Sequence, residues 1–298
     1  FVIIDIVQND NDPGAAIETF DSNLQALTQP GVARYGAAYF PMLVTTIPYH
    51  YTDSTVRIAH HVTRREAGKE DQLIRGNFDK LKLPNVQVQD AGLYTAIKDN
   101  LQQQTYKLPP SAAVAGIYVQ VDRARGVWKA PANISLAMVK SPALLLTNHV
   151  QSSLQNGEIS GRSINAIRQF TGKGTVVWGG RTLAGSDNEW RYISVRRFFN
   201  MVETSVQRST EQFVFEPNEM STWSKVKQMV ENFLLLQWRA GALQGIKPEQ
   251  AYFVHIGLGS SMTQQDVIDG RMIIEIGMAI VRPAEFILTR IVLRMQSA

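Results

Sequence analysis

The feature that most constrains this fold is a stripe of large apolar residues at helical spacing between positions 220 and 240. Apolar residues three and four positions apart lie on one face of an α-helix, and a wide stripe of them has to be buried. The sequence predicts a helix that is capped by Asn218 or Ser221 and that ends at Gly241 and Gly245. The residues of the stripe that we expect in the core are Trp223, Val226, Val230 and Phe233.

The composition excludes several classes of protein. The 298 residues include no cysteine, and the formal net charge is +4. Without cysteine there is no disulfide framework, thiolate zinc site, iron–sulfur cluster or cysteine nucleophile, so packing and hydrogen bonds must hold the fold together. No block of five like charges occurs, and no apolar run approaches the roughly 18 residues of a membrane helix. We therefore expect neither a nucleic acid nor a membrane as partner.

Strand and helix patterns both occur along the whole chain, which predicts an α/β (α+β) fold with a mixed β-sheet core flanked by helices. The predicted strands are residues 1–7, 37–46, 86–88, 172–180, 251–256, 272–281 and 286–295. The predicted helices are residues 54–63, 93–103, 109–125 and 160–170, a helix capped by Ser194, and the stripe helix. A change from apolar to polar residues near position 150 predicts two regions, residues 1–150 and 151–298.

Two glycine-rich segments leave an alternative function open, that of a small-ligand or nucleotide-binding α/β enzyme. Gly180 to Ser186 has the glycine spacing of a phosphate-binding loop but lacks its lysine, and His255 to Gly259 lacks the third glycine of a dinucleotide-binding motif. The five histidines lack the spacing of metal ligands, and no nucleophile, base and carboxylate are indicated together. We expect no enzymatic activity, no metal and no cofactor.

The surface of the stripe helix indicates a binding function instead. Lys225 and Lys227 occupy positions that the apolar stripe leaves facing outward, where they can attract an acidic partner. The last predicted strand is a second candidate, because a terminal strand with unpaired backbone groups can pair with another chain. The residues of this strand that we expect to take part are Phe286, Leu288, Arg290, Val292 and Arg294.

Four segments of the second half carry a resemblance to a known family. They are GRSINAIRQFTGKGTVVWGGRTLAGSDNEWRYISVRRFFNMVETSV at 161–206, FVFEPNEMSTW at 213–223, FLLLQWRAGALQG at 233–245 and VRPAEFILTRI at 281–291. PPSAAVAGIYVQVDRARGVWKAPAN at 109–133 fits the segment that precedes them. In this order they resemble the contractile tail sheath proteins, which occur in contractile bacteriophages, R-type bacteriocins and extracellular contractile injection systems.

The resemblance implies a structural subunit that polymerises as stacked hexameric rings around an inner tube and contracts to drive the tube through a target envelope. Implied partners are further copies of the chain, the inner tube protein, and baseplate and terminator or cap proteins. Assembly in the bacterial cytoplasm is implied, followed by work in a phage tail or a released extracellular particle. Residues 1–150 would form an outer region, and residues 151–298 a conserved core domain whose Lys225 and Lys227 face the tube. The terminal strands would be exchanged between subunits.

Overall fold

The computed structural model describes residues 1–6, 13–27, 31–64, 72–157 and 162–285. Helices and strands are interspersed, so the predicted mixed α/β (α+β) fold is confirmed. The strands are β1 (Val2–Asp5), β2 (Gly36–Phe40), β3 (Leu43–Pro48), β4 (His61–Arg64), β5 (Gln72–Arg75), β6 (Thr105–Leu108), β7 (Ile134–Ser135), β8 (Val139–Pro142), β9 (Ile164–Phe170), β10 (Gly174–Trp178), β11 (Tyr252–His255) and β12 (Glu275–Met278). The helices are α1 (Pro13–Leu27), α2 (Leu83–Gln89), α3 (Ala91–Gln103), α4 (Ser111–Arg125), α5 (Asn148–Asn156), α6 (Ile193–Thr210), α7 (Met220–Arg239), α8 (Pro248–Ala251) and α9 (Gln264–Ile268).

The chain forms two compact units that do not follow the expected division at position 150. The larger unit comprises Phe1–Pro41, Pro109–Leu136 and Leu144–Ala298, and the smaller unit comprises Met42–Leu108 and Ala137–Ala143. The reason is long-range strand pairing, because β2 near the start of the chain pairs in parallel with β9. A change of composition along the chain carries no information about such pairing.

The larger unit contains a five-stranded sheet in the order β1-β2-β9-β10-β7. Strands β1, β2 and β9 are parallel, whereas β9, β10 and β7 pair antiparallel. Every residue of β2 is buried, as expected of a central strand that is covered on both faces. The core around this sheet consists of Ile6, Ile17, Ala38, Phe40, Leu146, Leu154, Ile164, Ala166 and Leu183.

A second core of the larger unit lies between helices α6 and α7 and the two-stranded antiparallel sheet of β11 and β12. The ring of Phe198 is fully buried there and meets the edge of Trp128, with 6.2 Å between ring centroids. The buried residues of this core are Val195, Phe198, Val202, Val226, Val230, Leu234, Ala242, Leu243, Ala251, Val254 and Ile280.

Polar contacts attach α4 to the same unit. Arg197 of α6 donates through Nη1 to Oδ1 of Asp122 at 2.9 Å, and its guanidinium stacks over the ring of Tyr118. The hydroxyls of Tyr118 and Tyr39 are hydrogen-bonded at 2.8 Å. Because the Tyr39 side chain is fully buried, desolvation raises its pKa well above the usual value, and both phenols stay protonated at neutral pH.

The smaller unit contains a three-stranded antiparallel sheet in the order β6-β3-β8 and a separate hairpin of β4 and β5. Leu43 at the start of β3 pairs with Leu108 at the end of β6 and with Pro142 at the end of β8. Helix α2 packs beside α3 and contributes Leu83 and Val86, both fully buried. This unit therefore has apolar core residues of its own.

Three local predictions are wrong. Residues 54–63, expected as a helix, form turns and the start of β4. Residues 86–88, expected as a strand, lie in α2, and residues 164–170, expected in a helix, form β9. In each case a short apolar spacing is compatible with both kinds of element, and contacts distant in sequence decide between them.

Candidate interaction surfaces

Helix α7 buries the predicted stripe. Val226 and Val230 are buried in the core between α6 and the β11–β12 sheet, and Leu234 continues the stripe with no exposed surface. Trp223 is buried as well. Phe233 is half-buried at the margin of this core. The helix ends at Arg239, and Gly241 follows with a φ of 87°, which favours glycine.

The start of α7 is fixed by a side chain that we expected to cap it. The residue before the first turn is Glu219, and its side chain makes no capping hydrogen bond. Asn218 instead accepts a hydrogen bond from the indole Nε1 of Trp223 at 2.7 Å and donates to the carbonyl oxygen of Arg271 at 3.1 Å. Asn218 thereby orients the largest side chain of the stripe.

The loop that Asn218 contacts is held by hydrogen bonds to the carboxylate of Asp266. Helix α9 begins after Thr263, which exchanges capping hydrogen bonds with Asp266. Arg271 donates to the same carboxylate from Nε at 3.1 Å. Hydrogen bonds from Thr263 and Arg271 lower the pKa of Asp266 to about 2. The loop that meets the start of α7 is therefore held by an ionised carboxylate.

The two predicted contact lysines of α7 project in different directions. Residues two positions apart point roughly 160° away from each other around a helix axis. Lys227 lies on the flank where Glu231 follows one turn later, with Nζ 3.8 Å from Oε1. Lys225 is exposed and makes no ion pair with any described residue. One flat partner surface cannot engage both lysines in the same way.

The side of α7 that carries Lys225 is polar and contains no acidic residue. Its exposed positions follow one another at spacings of three, four and seven residues. Apart from Lys225 they are Ser221, Gln228, Asn232, Leu236 and Arg239. Lys225 and Arg239 are the two cations of this face, and the carboxylate of Glu219 accepts a hydrogen bond from Ser221 at its start, at 2.7 Å. The exposed cations suit an acidic partner.

An apolar tip lies at the start of α7, and sequence reasoning missed it. Val214, Phe215 and Met220 are largely exposed, and the side chain of Phe215 is completely so. Phe215 has a φ of 72°, a left-handed conformation that is rare for a bulky residue. The available signal was the run Phe213-Val214-Phe215 directly before a glutamate and a proline.

A cluster around Glu285 was also missed by sequence reasoning. Arg181 forms a bidentate ion pair with Glu285, from Nε to Oε1 at 2.9 Å and from Nη2 to Oε2 at 2.6 Å. Gln155 donates to Oε1 at 3.0 Å, and the hydroxyl of Tyr192 donates to Oε2 at 3.3 Å. Both partners of the ion pair lie within the segments that carry the family resemblance, which is the signal that could have identified them.

The glycine-rich segment from Gly180 to Ser186 is a packed loop rather than a phosphate cradle. Leu183 is buried in the core of the five-stranded sheet, and Arg181 is engaged by Glu285. A side chain at Gly185 would overlap Ser163, so the glycine is needed for close packing and not for ligand access.

The second glycine-rich segment uses its backbone donors internally. The amide of Gly259 donates to the carbonyl of Met262 at 2.8 Å, and the amide of Gly257 donates to Ser261 Oγ at 3.2 Å.

The described ranges contain no cluster of three or more histidine, aspartate or glutamate side chains suited to a metal ion. In the same ranges, the helices fall short of the length and apolarity needed to cross a bilayer.

The β11–β12 sheet presents strand edges. Within the described residues it contains these two strands, extended by a single bridge between Leu243 and Ile280. A two-stranded sheet is marginally stable alone and offers unpaired backbone groups along its edges. The predicted exchange strand, with Phe286, Leu288, Arg290, Val292 and Arg294, lies outside the described residues.

Comparison with known proteins points to one family. The model of the phage tail sheath C-terminal domain matches residues 185–294. The tail sheath protein of Enterobacteria phage T4 is 27% identical over 148 residues, which cover 47% of this chain and 22% of that protein.

Two solved sheaths are similar over nearly the whole chain. The sheath complex of PVC, an extracellular contractile injection system, in the contracted state is 33% identical, with a TM-score of 0.67, and the match covers 98% of this chain and 62% of that one. The helical sheath of the anti-feeding prophage (AFP) in the contracted state is 31% identical, with a TM-score of 0.64 and coverage of 98% and 69%.

The chain corresponds to only part of its relatives. It matches about a fifth of the curated phage sheath proteins and about two thirds of the solved sheath chains. These relatives are structural proteins and not enzymes. The order of the resembling segments along the chain, the family model and the shared fold all indicate the same family. The chain belongs to the contractile tail sheath protein family.

Proposed function

We propose that this chain is a sheath subunit that assembles with its own copies into stacked hexameric rings around an inner tube. Contraction of these rings drives the tube through a target envelope. The observation that carries the proposal is the match of 98% of the chain to sheaths solved in the contracted state. Energy for the stroke comes from conformational change stored at assembly.

The test of this function is electron microscopy of the chain co-expressed with the inner tube protein of the same particle. We expect striated tubes of two lengths, one extended and one contracted. Monomers or small closed oligomers would contradict the proposal.

We also propose that assembly takes place in the bacterial cytoplasm on a baseplate and ends with a terminator or cap protein. The particle then acts as a phage tail or as an extracellular device.

Contact with the tube is assigned to the face of α7 that carries Lys225. That lysine is exposed and without an ion-pair partner among the described residues, whereas Lys227 is beside Glu231. One exposed ion pair contributes only about 0–1 kcal/mol, so each subunit could release the tube during contraction. Repetition over many subunits makes the total attachment firm.

Separate charge reversals test this contact. We expect Lys225→Glu to weaken assembly on the tube several-fold at moderate salt, because it reverses the only unpaired lysine of that face. Lys227→Glu, the matched control on the opposite flank, should have a much smaller effect. Co-sedimentation with preformed tubes measures both, and thermal melting verifies folding. Equal effects of the two reversals would contradict the assignment to the Lys225 face.

The residues that follow position 285 are proposed to pair with a neighbouring subunit. Support comes from the apolar alternation of residues 286–295 and from the edges of the β11–β12 sheet, which pair with no further strand of the described ranges and could accept one. We expect that deletion of the residues after Ile287 abolishes polymerisation while the melting temperature of the subunit stays within a few degrees. Sheaths of normal length from the truncated chain would exclude strand exchange by this segment.

A further inference from the structure

The cluster around Glu285 is built to hold a charged group in one place. Four hydrogen bonds converge on its two carboxylate oxygens, two of them from the fixed fork of Arg181. The side chains of Arg181 and Glu285 are only 9% and 14% exposed. Bidentate arginine–carboxylate pairs define an orientation as well as a contact, which a lysine or an apolar pair would not.

The partners of Glu285 belong to rigid parts of the larger unit. Arg181 is fixed through its backbone, because its amide donates to Oδ1 of Asn165 in β9 and its carbonyl accepts from Nδ2, both at 2.8 Å. Gln155 lies in α5, and Tyr192 directly precedes α6. The carboxylate is thereby tied to the central sheet and to two helices at once.

The chain has few other attachments near this point. Its last backbone hydrogen bond to a described residue is from the amide of Val281 to the carbonyl of Ala242, at 3.1 Å. Arg282 and Ala284 are exposed, and residues 282–284 make no backbone hydrogen bond within the described ranges. The side chain of Glu285 is therefore the attachment immediately before residues 286–298.

We propose that Glu285 is a positioning residue that fixes the place and direction from which the chain continues into residues 286–298. This inference rests on the proposed strand exchange. Without the anchor, the nearest preceding attachment among the described residues would be the backbone hydrogen bond of Val281, and the four residues 282–285 would add up to about 14 Å of reach. A longer connection lowers the effective concentration of the segment at the edge of the neighbouring subunit and removes its fixed direction. Pairing is therefore weaker, although every pairing residue is still present.

A pair of insertions tests the anchor. Four residues, Gly-Ser-Gly-Ser, are inserted either between Arg282 and Pro283, before the anchor, or between Glu285 and Phe286, after it. If Glu285 sets the departure point, the first insertion only enlarges an exposed bulge, and polymerisation stays within twofold of wild type. The second should raise the concentration needed for polymerisation at least tenfold. Equal effects of the two insertions would overturn the proposal.

A distance measurement tests the anchor independently of assembly. Because the chain has no native cysteine, spin labels can be placed at Thr171→Cys and Ala284→Cys, two exposed positions. We expect one narrow distance distribution, which Glu285→Gln broadens at least twofold and which Glu275→Gln, at an exposed glutamate of β12, leaves unchanged. A distribution that stays narrow in the Glu285→Gln variant would overturn the proposal.

The experiments distinguish a failure of the proposed sheath function from a failure of the Glu285 anchor. Failure of the wild-type chain to form sheaths would contradict the proposed function, and the spin-label distances would still decide the anchor. Normal sheaths that tolerate both insertions equally would leave the function standing and remove the anchor. If Glu285→Gln does not fold, the insertion pair still gives an answer, because it leaves Arg181 and Glu285 in place.

Discussion

Two polar side chains that were expected to cap helices do not cap them, whereas Asp90, Thr147 and Thr263 cap α3, α5 and α9. Asn218 and Ser194 both have the sequence position of a helix cap. Asn218 instead receives the indole of Trp223, and Ser194 lies inside α6 with a buried Oγ that has no partner among the described residues. The sequence identifies which oxygens are available near a helix start, but the donor that reaches them depends on tertiary packing.

Asp266 makes stability depend on pH in the acid range. Its pKa is about 2 in the folded chain, against 3.8 when unperturbed, so the folded state favours the carboxylate. The stabilisation is complete above about pH 4 and is lost as the pH falls towards about 2. We expect Asp266→Asn to flatten the dependence of the melting temperature on pH between 5 and 2. An unchanged slope in the variant would show that Asp266 contributes nothing there.

At the scale of elements, long and strongly periodic segments were predictable and short ones were not. The stripe of α7 is predictable because many residues repeat the same period, and α4 because two prolines precede an Ala/Val-rich body that ends at Gly126. In α2, Val86 and Val88 have strand-like spacing, yet Val86 is fully buried and Val88 is 87% exposed. Two apolar residues are too few to distinguish the helical period from the strand period. Packing of α2 beside α3 decides which of the two valines is covered.

Helix α7 offers a matched pair of leucines for testing its buried face. Leu234 has no exposed surface, whereas Leu236, two positions later, is 60% exposed. Leu234→Ala should lower the free energy of unfolding by about 2–5 kcal/mol through lost contacts and a cavity. Leu236→Ala should change it by no more than about 0.5 kcal/mol. Urea denaturation measures both, and similar losses would mean that α7 is buried differently.

For the candidate surfaces, the sequence predicts which side chains of α7 lie outside the buried stripe but not which contacts they make. It placed Lys225 and Lys227 outside the apolar stripe, as the structure does, without revealing that Glu231 accompanies only one of them. The ion pair of Arg181 and Glu285 joins residues 104 positions apart. Such a contact depends on the complete fold, and a single sequence has no local pattern that encodes it.

At the scale of the whole molecule, the two units each have their own buried residues. Val86 belongs to the smaller unit, and every member of the two large cores belongs to the larger one. We expect Val86→Ala to speed amide hydrogen exchange in residues 72–108 and to leave exchange in β9 and β10 unchanged. Hydrogen-exchange mass spectrometry measures this by peptide. Faster exchange in β10 would show that the units unfold together.

The pairing of Leu43 with both Leu108 and Pro142 has a consequence for engineering. Three of the four places where the chain passes between the units lie at one end of a single three-stranded sheet. Neighbouring strands are about 4.8 Å apart, so these passages fall within about 10 Å of one another. A foreign domain with closely spaced termini therefore fits in place of residues 42–108, between Pro41 and Pro109.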